Sequence, residues 1–222
     1  MSIFVLKLIA CITMVIDHIR YAIPFPENIV TSYFGRIAFP LFAFLITEGY
    51  SHTKDLKKYY KRLFIFGLVS QIPFMLFRTL VGEWKMLNIM FTLILGLSAI
   101  TIYDKIEKKY LSIPLSFMII CLGELLNVDY GWFGVATVFV IYIFKNKKIN
   151  LFVSYFILLI VYFYSVNMLI LHKVCILYFL FYLIPVVFMV FYNGKKGKSM
   201  KYFFYWFYPI HMLIIYGISF LF

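Results

Sequence analysis

The stretch 34-FGRIAFPLFAFLITEGYSHTKDLKKYYKRL-63 decides the fold. Its first eighteen residues carry charge only at Arg36 and Glu48, and the next twelve hold Lys54, Lys57, Lys58, Lys61 and Arg62 around a single Asp55. A bilayer core about 30 Å thick needs roughly 20 helical residues at about 1.5 Å each. An apolar run of that order closed by a basic cluster reads as a helix crossing a membrane and emerging on the positively charged side.

Working outward, eight further apolar runs follow the same rule. The expected spans are 3–23, 34–51, 62–80, 88–103, 111–126, 131–144, 150–165, 173–192 and 202–221. The shortest, 131–144, falls below a full crossing and implies tilt or local thinning. Pro24 and Pro26 close the first run. The segments 52–62, 104–110, 145–149 and 193–201 carry fifteen Lys and Arg, whereas the alternate segments 24–33, 81–87, 127–130 and 166–172 carry only Lys85. The positive-inside rule places the N-terminus in the cytoplasm and the C-terminus outside, after nine crossings. No long hydrophilic loop separates the runs, so residues 1–222 read as one integral-membrane domain. The fold class is an all-α transmembrane helix bundle.

Composition excludes the other classes. Of the 222 residues, 64% are apolar or aromatic and 14% are charged, against about 45–50% and about 25% in soluble domains. Aromatics at 22% exclude disorder. A net charge of +12 fits nucleic acid in a soluble protein, but here the cations sit between apolar runs and a bilayer explains them. Cys11, Cys121 and Cys175 lie inside those runs without metal-ligand spacing, which is the pattern of small buried hydrophobes. The first run is expected to be a retained helix rather than a cleaved signal, because Lys7 interrupts it and it runs on to Asp17 and His18.

Chemistry is expected where the apolar pattern breaks. A charged group at mid-bilayer costs roughly 2.5–3.5 kcal/mol on insertion scales, so it pairs or lines a polar space. The candidates are Asp17, His18, Arg36, Glu48, Gln71, Arg78, Glu124 and His211. Neighbours on a helix point about 100° apart, so Asp17 and His18 serve different directions while bordering one interior. Asp17 is a natural ion-pair partner for Arg36. Tyr208 and His211 are three residues apart and share a face, with Pro209 between them. For each a structural reading stands beside the functional one: a polar knot for Asp17 and His18, a snorkelling cation for Arg36, a satisfied core group for His211. His172 reads as a solvated loop histidine, and Arg78, Glu83, Trp84 and Lys85 as an interfacial belt. On the residues alone three classes remain open: a proton-coupled transporter or channel, an intramembrane enzyme, and a structural or immunity-type membrane partner.

A resemblance narrows them. IACITMVIDHIR, FGRIAFPLFAFLITEGYSHTKDLKKYYKRL, GLVSQIPF, LNIMFTLILGL, DYGWFGVA and FYWFYPIHMLIIY, in this order, resemble the TraX family of membrane acetyltransferases. The most specific stretch is GRIAFPLFAFLITEGYSHT, since its mixture of Gly, Arg, Pro, Glu and His is improbable in an ordinary span. Residues 145–200 contribute no motif. The resemblance implies acetyl transfer from cytoplasmic acetyl-CoA to the N-terminus of a pilin, and a wider relation to multi-helix acyltransferases that use a membrane-embedded His. It points to His18 as the catalytic match, with Arg36 and His211 as further ones.

Within that implied chemistry, His18 has the pKa class suited to deprotonating an amine, with Asp17 orienting it or balancing charge. Arg36 or Tyr208 would stabilise the oxyanion. Transfer through an acetyl-His intermediate is the alternative route. Lys54, Lys57, Lys58 and Arg62 are the candidate contacts for the coenzyme phosphates. The acceptor stays open among a pilin, another exported polypeptide, a lipoprotein and a glycan.

Overall fold

The computed structural model describes residues 1–23, 28–167 and 173–221, so Pro24, Pro26 and His172 lie outside the described residues. Among the described residues the chain is all-helical. Its elements are α1 (Ile3–Ile19), α2 (Asn28–His52), α3 (Leu56–Thr79), α4 (Ile89–Lys105), α5 (Lys109–Leu125), α6 (Gly131–Phe144), α7 (Lys148–Ser165), α8 (Lys173–Val190) and α9 (Lys201–Ile218). One helix falls in each expected run. Three of them, Ile29–His52, Leu56–Thr79 and Lys148–Ser165, are long and apolar enough to cross a membrane, and shorter apolar helices cover Gly131–Phe144, Val174–Val190 and Tyr202–Ile218. Large apolar side chains point outward along the helices, as at Ile72 on α3, Phe117 and Met118 on α5 and Ile157 on α7. In water such faces are a liability, whereas lipid accepts them.

The helix ends differ from the apolar runs, and local capping explains why. α1 stops at Ile19 rather than at residue 23, because Arg20 folds back so that its Nε donates to the Asp17 carbonyl and carboxylate at 3.1 and 3.0 Å. α2 begins at Asn28, so Arg36 lies eight residues inside it, about 12 Å from its start, rather than two. α3 begins at Leu56, placing Lys57, Lys58, Lys61 and Arg62 on its first two turns instead of in a loop. There Asp55 acts as the cap: the Lys58 backbone N–H donates to its carboxylate at 2.9 Å, and the Tyr59 N–H to its carbonyl at 3.1 Å.

The chain divides into two compact units. Unit 1 comprises residues 1–42, 72–84 and 159–222, and unit 2 comprises 43–71 and 85–158. In unit 1, α1 packs along α9, with the Phe4 and Phe204 rings 6.3 Å apart. Leu6, Ala10, Phe163, Tyr182 and Met212 are buried in that unit. In unit 2, α4, α5 and α6 pack on one another. Small residues set their approach: a Cβ at Gly96 would strike Val138, and one at Gly123 would strike Gly131 and Val135. Without water to drive helices together, such close fit is the main source of association in a membrane. Ser116 adds a hydrogen bond from its hydroxyl to the Ala99 carbonyl at 3.0 Å.

Candidate functional site

The site is built in unit 1 from the end of α1, the start of α2, the end of α3 and the middle of α9. Asp17 and His18 are successive residues that face two different neighbours, as their angular separation requires. Asp17 turns to α2 and is 7% exposed. Its carboxylate accepts from Arg20 Nε at 3.0 Å, and its other oxygen lies 3.9 Å from Arg36 Nη2. Gly35 makes this possible, because a Cβ there would collide with the Asp17 carboxyl group. Two guanidiniums thus face one carboxylate, with side chains only about one fifth exposed (20% and 21%).

Arg36 is gripped from further sides. Its Nε donates to the Ser32 carbonyl at 3.2 Å and its Nη1 to the Tyr182 hydroxyl at 3.4 Å. Its guanidinium also stands over the Tyr178 and Tyr182 rings at 5.5 and 5.8 Å. Tyr178 in turn hydrogen-bonds to the Ser32 hydroxyl. A guanidinium bound by a carboxylate, a carbonyl and two rings is a fixed charge, which favours the ion-pair reading over the snorkelling one.

His18 turns to α9. Its Nδ1 lies 2.9 Å from Nε2 of His211, across 193 positions of sequence. The two imidazoles are nearly parallel at 11°, and the Phe77 ring of α3 closes another side with centroids 4.7 Å apart. His211 stands ten residues into α9 and is 5% exposed. Its Nδ1 lies 2.8 Å from the Phe207 carbonyl oxygen. Tyr208 is buried beside it, ring centroids 5.9 Å apart, as the three-residue spacing requires. His18 itself sits one residue from the end of α1, not in the depth of a longer run. Two ligands about 2.0 Å from a tetrahedral zinc stand about 3.3 Å apart, so this 2.9 Å contact has the length of a hydrogen bond rather than of a shared metal.

The remaining candidates belong to unit 2 or to the turn after α3. Lys54, Lys57 and Lys58 are exposed on unit 2, while Arg62 is half-buried over the Tyr59 ring at 5.6 Å. Lys58 Nζ pairs with Asp55 at 3.2 Å. The Lys58 backbone N–H is the main cause that holds the Asp55 carboxyl below its ordinary range. Glu48 is buried and paired with Lys145 at 2.7 Å, a lysine that charge alone assigns to a loop. Gln71 closes a structural network, donating to the Met86 carbonyl at 2.8 Å and accepting from Asn88. Arg78 pairs with Glu83, and Glu124 is exposed, accepting from the Trp132 N–H at 3.3 Å. Sequence reasoning missed Arg20, Tyr178, Tyr182 and Lys145. Only Arg20 had a signal, its i, i+3 spacing from Asp17.

Apolar helices enclosing a paired carboxylate, two arginines and a histidine–histidine contact define a membrane protein with polar chemistry inside its helical framework. The chain belongs to the TraX family, whose profile, described as TraX protein, matches residues 2–219. It is also similar to the probable fimbrial assembly protein FimC, serogroup H1, of Dichelobacter nodosus, with 32% identity over 133 residues. That match covers 54% of this chain and 52% of the relative, so the chain spans about half the length of the protein it matches. No solved structure matches.

Proposed function

We propose that this protein is a multi-pass enzyme of the cell membrane that moves an acetyl group from cytoplasmic acetyl-CoA to an exported acceptor. Membership of the TraX family supports the reaction class, and the fimbrial relative supports an acceptor among pilus or other exported polypeptides, with a glycan amine or hydroxyl as the further class. The single observation that carries the reading is the His18–His211 contact at 2.9 Å, held next to the Asp17–Arg36 pair in unit 1. The proposed topology is nine crossings, N-terminus inside and C-terminus outside, which stations His18 toward the outer face where an exported amine arrives.

In this reaction the acceptor nitrogen attacks the thioester carbonyl carbon. The new C–N bond forms first and gives a tetrahedral intermediate, which collapses as the C–S bond breaks; the electron pair leaves with the CoA sulfur, and His18 carries the amine proton to that thiolate. Removing such a positioned base typically costs about 10²–10⁴-fold in rate. Asp17 holds Arg36 in place, and Arg36 or Tyr208 donates to the oxygen that becomes negative in the tetrahedral intermediate. Lys54, Lys57, Lys58 and Arg62 are proposed to meet the coenzyme phosphates.

The test is release of free CoA thiol from acetyl-CoA by the purified protein in nanodiscs, with and without a peptide bearing a free N-terminal amine. Protein-dependent release that the peptide accelerates, with acetylated peptide as product, supports the enzyme. Absence of both, together with proton flux into liposomes lacking acetyl-CoA, would instead establish the transporter reading.

A further inference from the structure

The contacts of the two histidines determine more than their proximity. A backbone carbonyl only accepts, so the 2.8 Å contact between His211 Nδ1 and the Phe207 oxygen requires the proton of His211 to sit on Nδ1. With one proton on each ring, His211 Nε2 then carries a lone pair. The nitrogen facing it at 2.9 Å, His18 Nδ1, must therefore be the donor. That leaves Nε2 of His18 without a proton. The chain of donation runs from His18 Nδ1–H to His211 Nε2, and from His211 Nδ1–H to the Phe207 carbonyl.

We infer that His211 is a positioning residue that fixes the tautomer of His18, so that Nε2 of His18 is the nitrogen that takes the acceptor's proton. The part of His18 in transfer rests on the acetyltransferase reading, whereas its tautomer follows from the contact geometry alone. An imidazole without a partner favours the Nε2–H form, in which the lone pair would lie on Nδ1. His211 reverses that preference. When His18 takes a proton on Nε2, its Nδ1–H keeps the same acceptor, and the positive charge that develops is met by the His211 lone pair. A hydrogen bond from a charged donor is about twice as strong as a neutral one, so the contact strengthens as the base is protonated. Catalytic triads set their histidine by the same logic, with a carboxylate in the place that His211 occupies here. Asp17, although adjacent in sequence, faces α2 and Arg20 and so is not that partner.

The test combines a spectrum with kinetics. Protein labelled with ¹⁵N-histidine in nanodiscs, its resonances assigned with single His→Asn variants, reports which nitrogen of His18 is protonated. The expected wild-type result is a protonated Nδ1 and a bare Nε2 on His18. In His211→Leu the His18 proton moves to Nε2, and CoA thiol release falls at least about tenfold in kcat with KM little changed. The loss is bounded by the roughly 10⁴-fold that a wrong tautomer costs a catalytic triad. His211→Gln, whose amide oxygen can accept from His18, restores part of kcat and the Nδ1–H form. A merely structural His211 would lower both variants alike and leave the tautomer unchanged. A wild-type spectrum with Nε2–H on His18, or with both nitrogens of His211 protonated, overturns the inference even if acetyl transfer is active. Conversely, a wild-type Nδ1–H on His18 in protein that never releases CoA thiol upholds the tautomer assignment and refutes the enzymatic reading.

Discussion

Lys145 and Glu48 offer a quantitative test of how unit 2 is held together. Their side chains are 10% and 8% exposed and 2.7 Å apart. At an effective dielectric of about 20, two unit charges at that distance attract by about 6 kcal/mol, most of which offsets the desolvation of both ions. Removing one partner leaves the other buried without its counter-charge, which typically costs about 3–5 kcal/mol. The two removals are not equivalent. In Glu48→Gln the ammonium keeps the Ser51 hydroxyl at 2.6 Å and the Thr47 carbonyl at 3.3 Å, so the cost falls at or below the low end of that range. In Lys145→Met the Glu48 carboxylate is left with His52 at 3.9 Å, and the cost approaches the high end. The double variant Glu48→Gln/Lys145→Met buries no charge and recovers to within about 1–2 kcal/mol of wild type, a coupling at or above the top of the usual 0.5–3 kcal/mol range for neighbours in contact. Reversible denaturation in mixed detergent micelles measures all four proteins. Single variants within about 0.5 kcal/mol of wild type would show instead that the pair behaves as an exposed one. A double variant no more stable than the sum of the singles would equally refute the coupling.

Three further outcomes are expected. Gly35→Ala drives a methyl group into the Asp17 carboxyl, so overpacking lowers stability by about 1–3 kcal/mol and CoA thiol release falls with it, both read on the same nanodisc preparation. Replacing Lys54, Lys57, Lys58 and Arg62 together weakens acetyl-CoA binding and flattens its salt dependence, and isothermal titration with an unchanged Kd would remove the cluster from the site. The Asp55 carboxyl is held below its ordinary range, so its contribution to the α3 cap is present above the unfolded value near about 3.9 and is lost as pH falls through the lower folded value. Exchange protection of the Lys58 amide should therefore survive at pH 5 and disappear only in stronger acid, whereas loss already near pH 5 would contradict the cap.

The helices and their order were readable because hydrophobic runs and loop charge report directly on what a bilayer accepts. Asp17, His18, Arg36 and His211 were readable for the complementary reason, since charge and imidazole inside apolar runs need partners. Helix ends were not readable, because they depend on single hydrogen bonds such as Arg20 to Asp17 and Lys58 to Asp55. Nor were the long-range pairings: nothing in spacing joins His18 to His211, or Arg36 to Tyr178 and Tyr182 in a region without motifs. Lys145 shows the limit of charge counting, because a lysine in a basic loop and a lysine folded back onto a buried glutamate look alike in sequence.

The most direct test of the central claim is acetyl transfer by His18→Ala, compared with wild type in nanodiscs after both proteins give the same unfolding midpoint. Release of CoA thiol is expected to fall by about 10²–10⁴-fold while acetyl-CoA still binds. A folded His18→Ala protein that transfers acetyl groups at the wild-type rate would contradict the claim.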